Sequence, residues 1–264
     1  MQNNFLLSLF TGGGLLDIAF RKEGFYTVSA GDIITANDIR DFHAPKGKFD
    51  GIIGGSPCQD FSGLRRTEPT GNGLAMLNEF KRVVLEASPK WFLLENVARV
   101  PSLEIDGYQI QRFTLSPHQC GGVQSRTRAF QFGHKNGHLL DIKKDKFTGI
   151  KAPCLTASEG RQAERREWGD FCELQGLDRN FKFEGLSTAL SYKLVGNGVN
   201  VLVGRRIAAA IREVSSGTNE RTFTDSKTCQ NCGAILRGRS DKKTCSLVCR
   251  KNLSVKGRRD KMCA

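Results

Sequence analysis

No stretch of about 18 uninterrupted apolar residues, the length a membrane-spanning helix needs, occurs in the chain. The opening MQNNFLLSLF lacks the basic start of a secretory signal, so the expectation is a soluble, cytoplasmic protein with no membrane partner. No internal repeat is visible, which excludes a repeat array. Acidic residues are the scarcer charge: 27 Asp plus Glu stand against 40 Lys plus Arg. The resulting formal charge of +13 favours a polyanionic partner through counterion release, nucleic acid first among them. A chain of 264 residues is too short for two large domains, yet long enough for one domain with a sizeable core and a small appended module. Nine cysteines without an export signal read as thiols, metal ligands or a catalytic group rather than as disulfides.

The first ~110 residues alternate short apolar runs with amphipathic stretches, the pattern of parallel strands joined by crossover helices. FLLSLF (5–10), FDGIIGG (49–55) and PKWFLLEN (89–96) read as buried strands, while LLDIAFRKEG and LAMLNEFKRVVLEA carry helical periodicity. YQIQRFTLS and RTRAFQFG, between 108 and 133, suggest antiparallel strands that close the sheet. Residues 134–152 are polar and lysine-rich, VNVLVGRRIAAAIREV (199–214) reads as a helix, and SSGTNERTFTDS has linker composition.

Three strand ends carry possible chemistry. SLFTGGGLLDIAF (8–20) is a strand, a glycine turn and a helix start; glycines there let a ligand approach backbone at a helix N-terminus, although a tight connection looks the same. Asp32, after the short strand YTVSAG, is placed to accept from ribose hydroxyls, and Asp38 to meet an adenine amino group; turn or capping roles are the commoner fate of such aspartates. In GGSPCQDFSG (54–63), Pro57 stops the strand so that Cys58 projects from a rigid loop into the cleft. LLENV (93–97) puts Glu95 and Asn96 at the end of another apolar strand, and QSRTR (124–128) places Arg126 and Arg128 at i and i+2, on one face of a strand. Together these groups suit chemistry at C5 of cytosine, which becomes nucleophilic only after a thiolate adds to C6 and the ring charge is stabilised. The ring is out of reach inside a duplex, so the base must be flipped out.

On these residues the chain resembles the DNA (cytosine-5) methyltransferases over 5–214, with most of that family's motifs in family order. The resemblance implies a Rossmann-like α/β fold, mostly parallel with helices on both faces, binding S-adenosylmethionine. Phe10, Gly12 and Gly14 match its FxGxG turn, and Asp32 with Ile33 and Asp38 with Ile39 its ribose and adenine contacts. Pro57 and Cys58 match its Pro-Cys-Gln nucleophile motif, and Glu95, Asn96 and Val97 its ENV. Gln124, Arg126 and Arg128 match its QxRxR, with Arg128 assigned to the cytosine O2. LQG (174–176) and YKLVGNGV (192–199) resemble the last two motifs, the latter bringing Asn197 and Val199 to the cofactor. The implied partner is double-stranded DNA, bound by a monomer. Two other readings stay open: a transfer-RNA cytosine-5 methyltransferase of the same fold, and a catalytically silent DNA-binding relative.

Departures from the family pattern also carry information. The span from Asp32 to Asp38 is short, and Gln119–Val123 stand where relatives have an aromatic residue, glycine, valine and proline. The target-recognition region shrinks to roughly 134–165 within a catalytic domain of 1–217, which suits a phage or mobile element. After a linker (218–226), residues 227–264 contain Cys229, Cys232, Cys245 and Cys249, in a spacing suited to a tetrahedral structural Zn²⁺. Residues 226–264 hold eleven Lys or Arg and two Asp, so +9 of the formal +13 sits there before metal binding. Such a tail is expected to grip phosphates and to substitute for the missing recognition domain.

Overall fold

The computed structural model describes residues 4–33, 36–63, 68–218 and 222. Its centre is a six-stranded sheet in the order β2-β1-β3-β4-β6-β5. These strands are β1 (Phe5–Leu9), β2 (Tyr26–Ala30), β3 (Gly51–Gly55), β4 (Trp91–Asn96), β5 (Gln109–Leu115) and β6 (Arg128–His134). The first four are mutually parallel, whereas β6 runs antiparallel to both β4 and β5. The expected mixed α/β sheet is therefore present. Chain order reverses between β1 and β3, and open sheets of this kind bind ligands beyond the carboxyl ends of strands at such a switch point.

Alternation along the strands divides the core into two faces. Leu6, Ile53 and Leu93 pack on one side with α1 (Leu15–Lys22) and α5 (Val201–Ser215). Leu7, Leu9, Ile52, Phe92 and Leu94 pack on the other with α2 (Asn72–Ala87). Helix α5 buries Val203, Ile207, Ile211 and Val214, spaced three or four apart; each contributes about 1.5–3 kcal/mol relative to exposure. Close crossing of α5 over α1 depends on Gly204, where a Cβ would lie 2.5 Å from that of Ala19. A third, smaller core gathers α3 (Trp168–Leu174) and α4 (Thr188–Asn197) around Phe171, Tyr192 and Val195, against Leu15 and Ala19 of α1.

Between β2 and β3 no α-helix or strand forms among the described residues. Residues 136–151 likewise lack regular structure and run as a strap across β5 towards α5. Leu140 exchanges two hydrogen bonds with the Gln111 side chain, Lys144 Nζ donates to the Thr114 carbonyl, and Asp145 pairs with Arg206 at 2.9 Å. Residues 152–165, the end of the expected recognition region, are tied to the framework. Ala152 bridges Gln124, and Glu159, buried, is held by Arg166 at 2.6 Å while Gly160 abuts Tyr192 of α4. Of the tail, Thr222 forms an isolated bridge with His138. Cys229, Cys232, Cys245 and Cys249 lie outside the described residues. No single helix among the described residues is long and apolar enough to cross a membrane.

Candidate active site

Strand β3 is buried on both faces and ends at Gly55, after which Pro57 turns the chain and a short 3-10 turn, Gln59–Phe61, follows Cys58. The loop is pinned from β4: Asn96 Nδ2 donates to the Ser56 carbonyl at 3.0 Å and to Ser56 Oγ at 2.9 Å. Gly55 lies against the carboxyl: a Cβ there would sit 3.0 Å from Glu95 Oε2. Asp60 fixes the far side by accepting from the amides of Thr70 (2.9 Å) and Gly73 (2.8 Å), which ties the loop to the start of α2. Cys58 is thus half-buried on a loop held at both ends.

The antiparallel β4–β6 ladder brings the start of β6 to the end of β4, with Glu95 opposite Phe130. Arg128 Nε consequently lies 3.3 Å from Glu95 Oε1. Burial pushes the Glu95 carboxyl above the usual carboxylate range, against the pull of Arg128 and Arg126. Burial likewise pushes the Cys58 thiol up, with the Glu95 charge adding to the effect and Arg128 and Arg126 opposing it. The sulfur, the carboxyl and both guanidinium groups therefore share one electrostatic neighbourhood.

The two arginines do not share a face, because β6 begins only at Arg128 and Arg126 precedes it. Arg126 is 6% exposed and turns inward, donating to the carbonyls of Leu155 (3.3 Å), Asn197 (3.2 Å) and Gly198 (3.4 Å). Two framework side chains near it have no signal of their own in the sequence. Ser116 Oγ accepts from the Arg126 amide at 3.1 Å, and Gln175 Nε2 donates to the Val195 and Gly198 carbonyls at 2.5 and 3.1 Å. Gln175 lies inside the LQG motif, which was the only pointer to it.

Across the switch point, Phe10, Gly12 and Gly14 have φ of 53°, 56° and 70°. This left-handed turn between β1 and α1 is why glycine recurs there. A Cβ on Gly12 would meet nothing within 4 Å, so the turn borders open space. Its amide donates to Asp32 Oδ2 at 2.5 Å, joining the ends of β1 and β2. Ile33 beside it is 78% exposed, an apolar surface at the same strand end. An open glycine cradle flanked by a carboxylate and an exposed aliphatic side chain fits a nucleoside-bearing cofactor. The other predicted contacts differ in exposure. Ile39 is buried in the α2-side core against Gly31, and Val199 in the α5-side core. Asp38 is half-buried and paired with Arg40, which holds its carboxyl down at about 2. Asn197 is exposed at the end of α4.

A cavity of about 440 Å³ is at the opposite pole, between Trp91, Lys90, His134, His138 and Arg212. It is remote from the strand ends that carry these groups. Among the described residues no cluster of three or more His, Cys, Asp or Glu is arranged to hold a metal.

Residues 6–164, more than half of the chain, match the C-5 cytosine-specific DNA methylase family. The chain belongs to that family. Its curated relatives include the type II methyltransferases M.HgiDI of Herpetosiphon aurantiacus and M.FnuDI of Fusobacterium nucleatum. The first is 30% identical over 171 residues, covering 52% of this chain and 54% of the relative; the second is 31% identical over 163 residues, covering 49% and 46%. The chain thus spans about half the length of these relatives. Solved structures of similar fold include EhMeth of Entamoeba histolytica (TM-score 0.57, 12% identity, 83% of this chain and 99% of that one) and the S. pombe Dnmt2 methyltransferase (0.57, 16%, 80% and 99%). At such identities the likeness is one of fold.

Proposed function

We propose that the protein methylates C5 of cytosine in DNA with S-adenosylmethionine as donor. The observation that carries this reading is the meeting of Cys58, Glu95 and Arg128 at adjoining strand ends, one strand from the open glycine turn. In it, the Cys58 thiolate adds to C6 of an extruded cytosine while Glu95, whose carboxyl is pushed towards its neutral form by burial, donates to N3 and Arg128 neutralises O2. Loss of the C5 proton and of the Cys58 sulfur restores the aromatic ring after methylation. The cofactor would rest on Phe10, Gly12 and Gly14 beside Asp32 and Ile33, and when bound it supplies the electrophilic methyl group.

Duplex DNA, single-stranded DNA and transfer RNA incubated in parallel with labelled cofactor test the assignment. Transfer to DNA is expected, together with a stable adduct on DNA carrying 5-fluorocytosine that Cys58→Ser abolishes. Label appearing only in RNA, or an adduct surviving in C58S, would overturn it.

The reduced recognition region belongs to the same proposal. With 152–165 tied to the framework, the short strap 136–151 is the part of the region left for reading bases, and recognition is brief or shared with the basic tail. The proposal further includes one structural Zn²⁺ on Cys229, Cys232, Cys245 and Cys249, and a protein that works as a monomer. Metal analysis of the purified chain checks the zinc: about one equivalent is expected, falling on substitution of any one of the four cysteines by serine.

A further inference from the structure

We propose that Arg126 is a positioning residue that couples the cofactor side of the cleft to the target-base side while touching neither ligand; this rests on the function proposed above. Its guanidinium is buried, and among the described residues it forms no ion pair with a carboxylate. A cation desolvated against neutral carbonyls is costly, so its role lies in what the carbonyls belong to. Nη1 holds Leu155, and Nη2 holds the Asn197–Gly198 turn between α4 and α5.

That turn rests on the cofactor loop. A Cβ on Gly198 would fall 2.7 Å from Leu15 Cδ2, the first residue after the glycine turn, and a Cβ on Gly13 would fall 3.1 Å from Leu194 Cβ of α4. On the other side, Arg126 is two residues from Arg128, which meets Glu95 at 3.3 Å. The Arg126 backbone cannot drift freely, since Ser116 Oγ accepts from its amide. A shift of the 197–198 turn is therefore transmitted both to Gly13–Leu15 and, through Thr127, to the pair that faces the base. Three carbonyls from two segments are spanned by one planar fork, which the single ammonium of lysine does not reproduce. The adjacent arginines thus divide the work: Arg128 faces the reacting ring, and Arg126 sets the distance between two half-sites.

Equilibrium binding of S-adenosylhomocysteine to DNA-free protein, measured by calorimetry alongside 5-fluorocytosine trapping, separates these roles. Arg126→Lys is expected to weaken the cofactor product by about 5- to 100-fold, the usual span of site-to-site coupling, whereas Arg128→Lys leaves its affinity within about twofold and loses the DNA adduct. Affinity within twofold of the parent in R126K, or an equal loss in R128K, would overturn the proposal. Should R126K fail to fold, Gln175→Met decides, because it removes the second donor to the Gly198 carbonyl; weaker binding supports the coupling and unchanged binding ends it. A parent protein that bound no S-adenosylhomocysteine would instead sink the proposed function.

Discussion

At Cys58, burial and the Glu95 charge raise the thiol while two arginines draw it down, with burial dominant. A raised thiol is mostly protonated at neutral pH, so alkylation of Cys58 by iodoacetamide is expected to climb with pH and to reach no plateau by about pH 9. Glu95→Gln removes an ionisable carboxyl from beside the sulfur and a proton donor from the reaction. It is therefore expected to speed Cys58 alkylation at pH 8 while slowing methyl transfer by about 10²- to 10⁴-fold. Slower alkylation in E95Q would show that the carboxyl's charge does not reach the sulfur. These side chains were legible in the sequence because each sits at the end of an apolar run, where strand periodicity stops. Ser116 and Gln175 were not, since their value comes from partners 10 and 20 or more residues away.

Elements make their own demands on single positions. Gly133 of β6 faces Phe92 so closely that a Cβ would fall 2.1 Å from the ring, and Gly51 of β3 meets Trp91 at 2.4 Å. Gly133→Ala is expected to cost about 1–3 kcal/mol of stability, read as a lowered denaturation midpoint at unchanged slope. Asp17 of α1 is fully buried on Ser8 of β1 at 3.1 Å, and burial raises its carboxyl above the usual value of 3.8. A raised folded-state value stabilises below the unfolded value and is lost as pH rises through the folded one. From about pH 4 upwards, melting temperature in the parent should thus fall relative to Asp17→Asn, and a constant difference between the two curves would contradict this. Strands and long helices were readable from periodicity alone; α3 and α4 were missed as a separate layer because their apolar residues answer to a third core around Phe171 and Tyr192 rather than to the sheet.

For the whole molecule, the order of strands could be anticipated only in part, since mixed direction is set by which edges pair, a long-range choice that local pattern does not encode. Within the expected recognition region 134–165, the Glu159–Arg166 pair and the contact of Gly160 with α4 tie the later part to the framework, through long-range contacts that local pattern does not encode. Charge is the molecule-scale property with the clearest test. Removing residues 219–264 is expected to weaken DNA binding and to flatten the dependence of log affinity on log salt, because most of the formal excess charge departs with them. Equal slope and affinity in the shortened chain would assign DNA binding to the catalytic domain alone.

The strap 136–151 is anchored at its start by Leu140 and Asp145 and re-enters the framework at Ala152, while Ile150 stands almost fully in solvent. Insertions between Lys146 and Lys151 would begin and end on fixed points without disturbing either core. Under the proposed function, sequence preference becomes an interchangeable fitting: a graft from a longer homologue is expected to redirect methylation to a new site while the chemistry stays where it is.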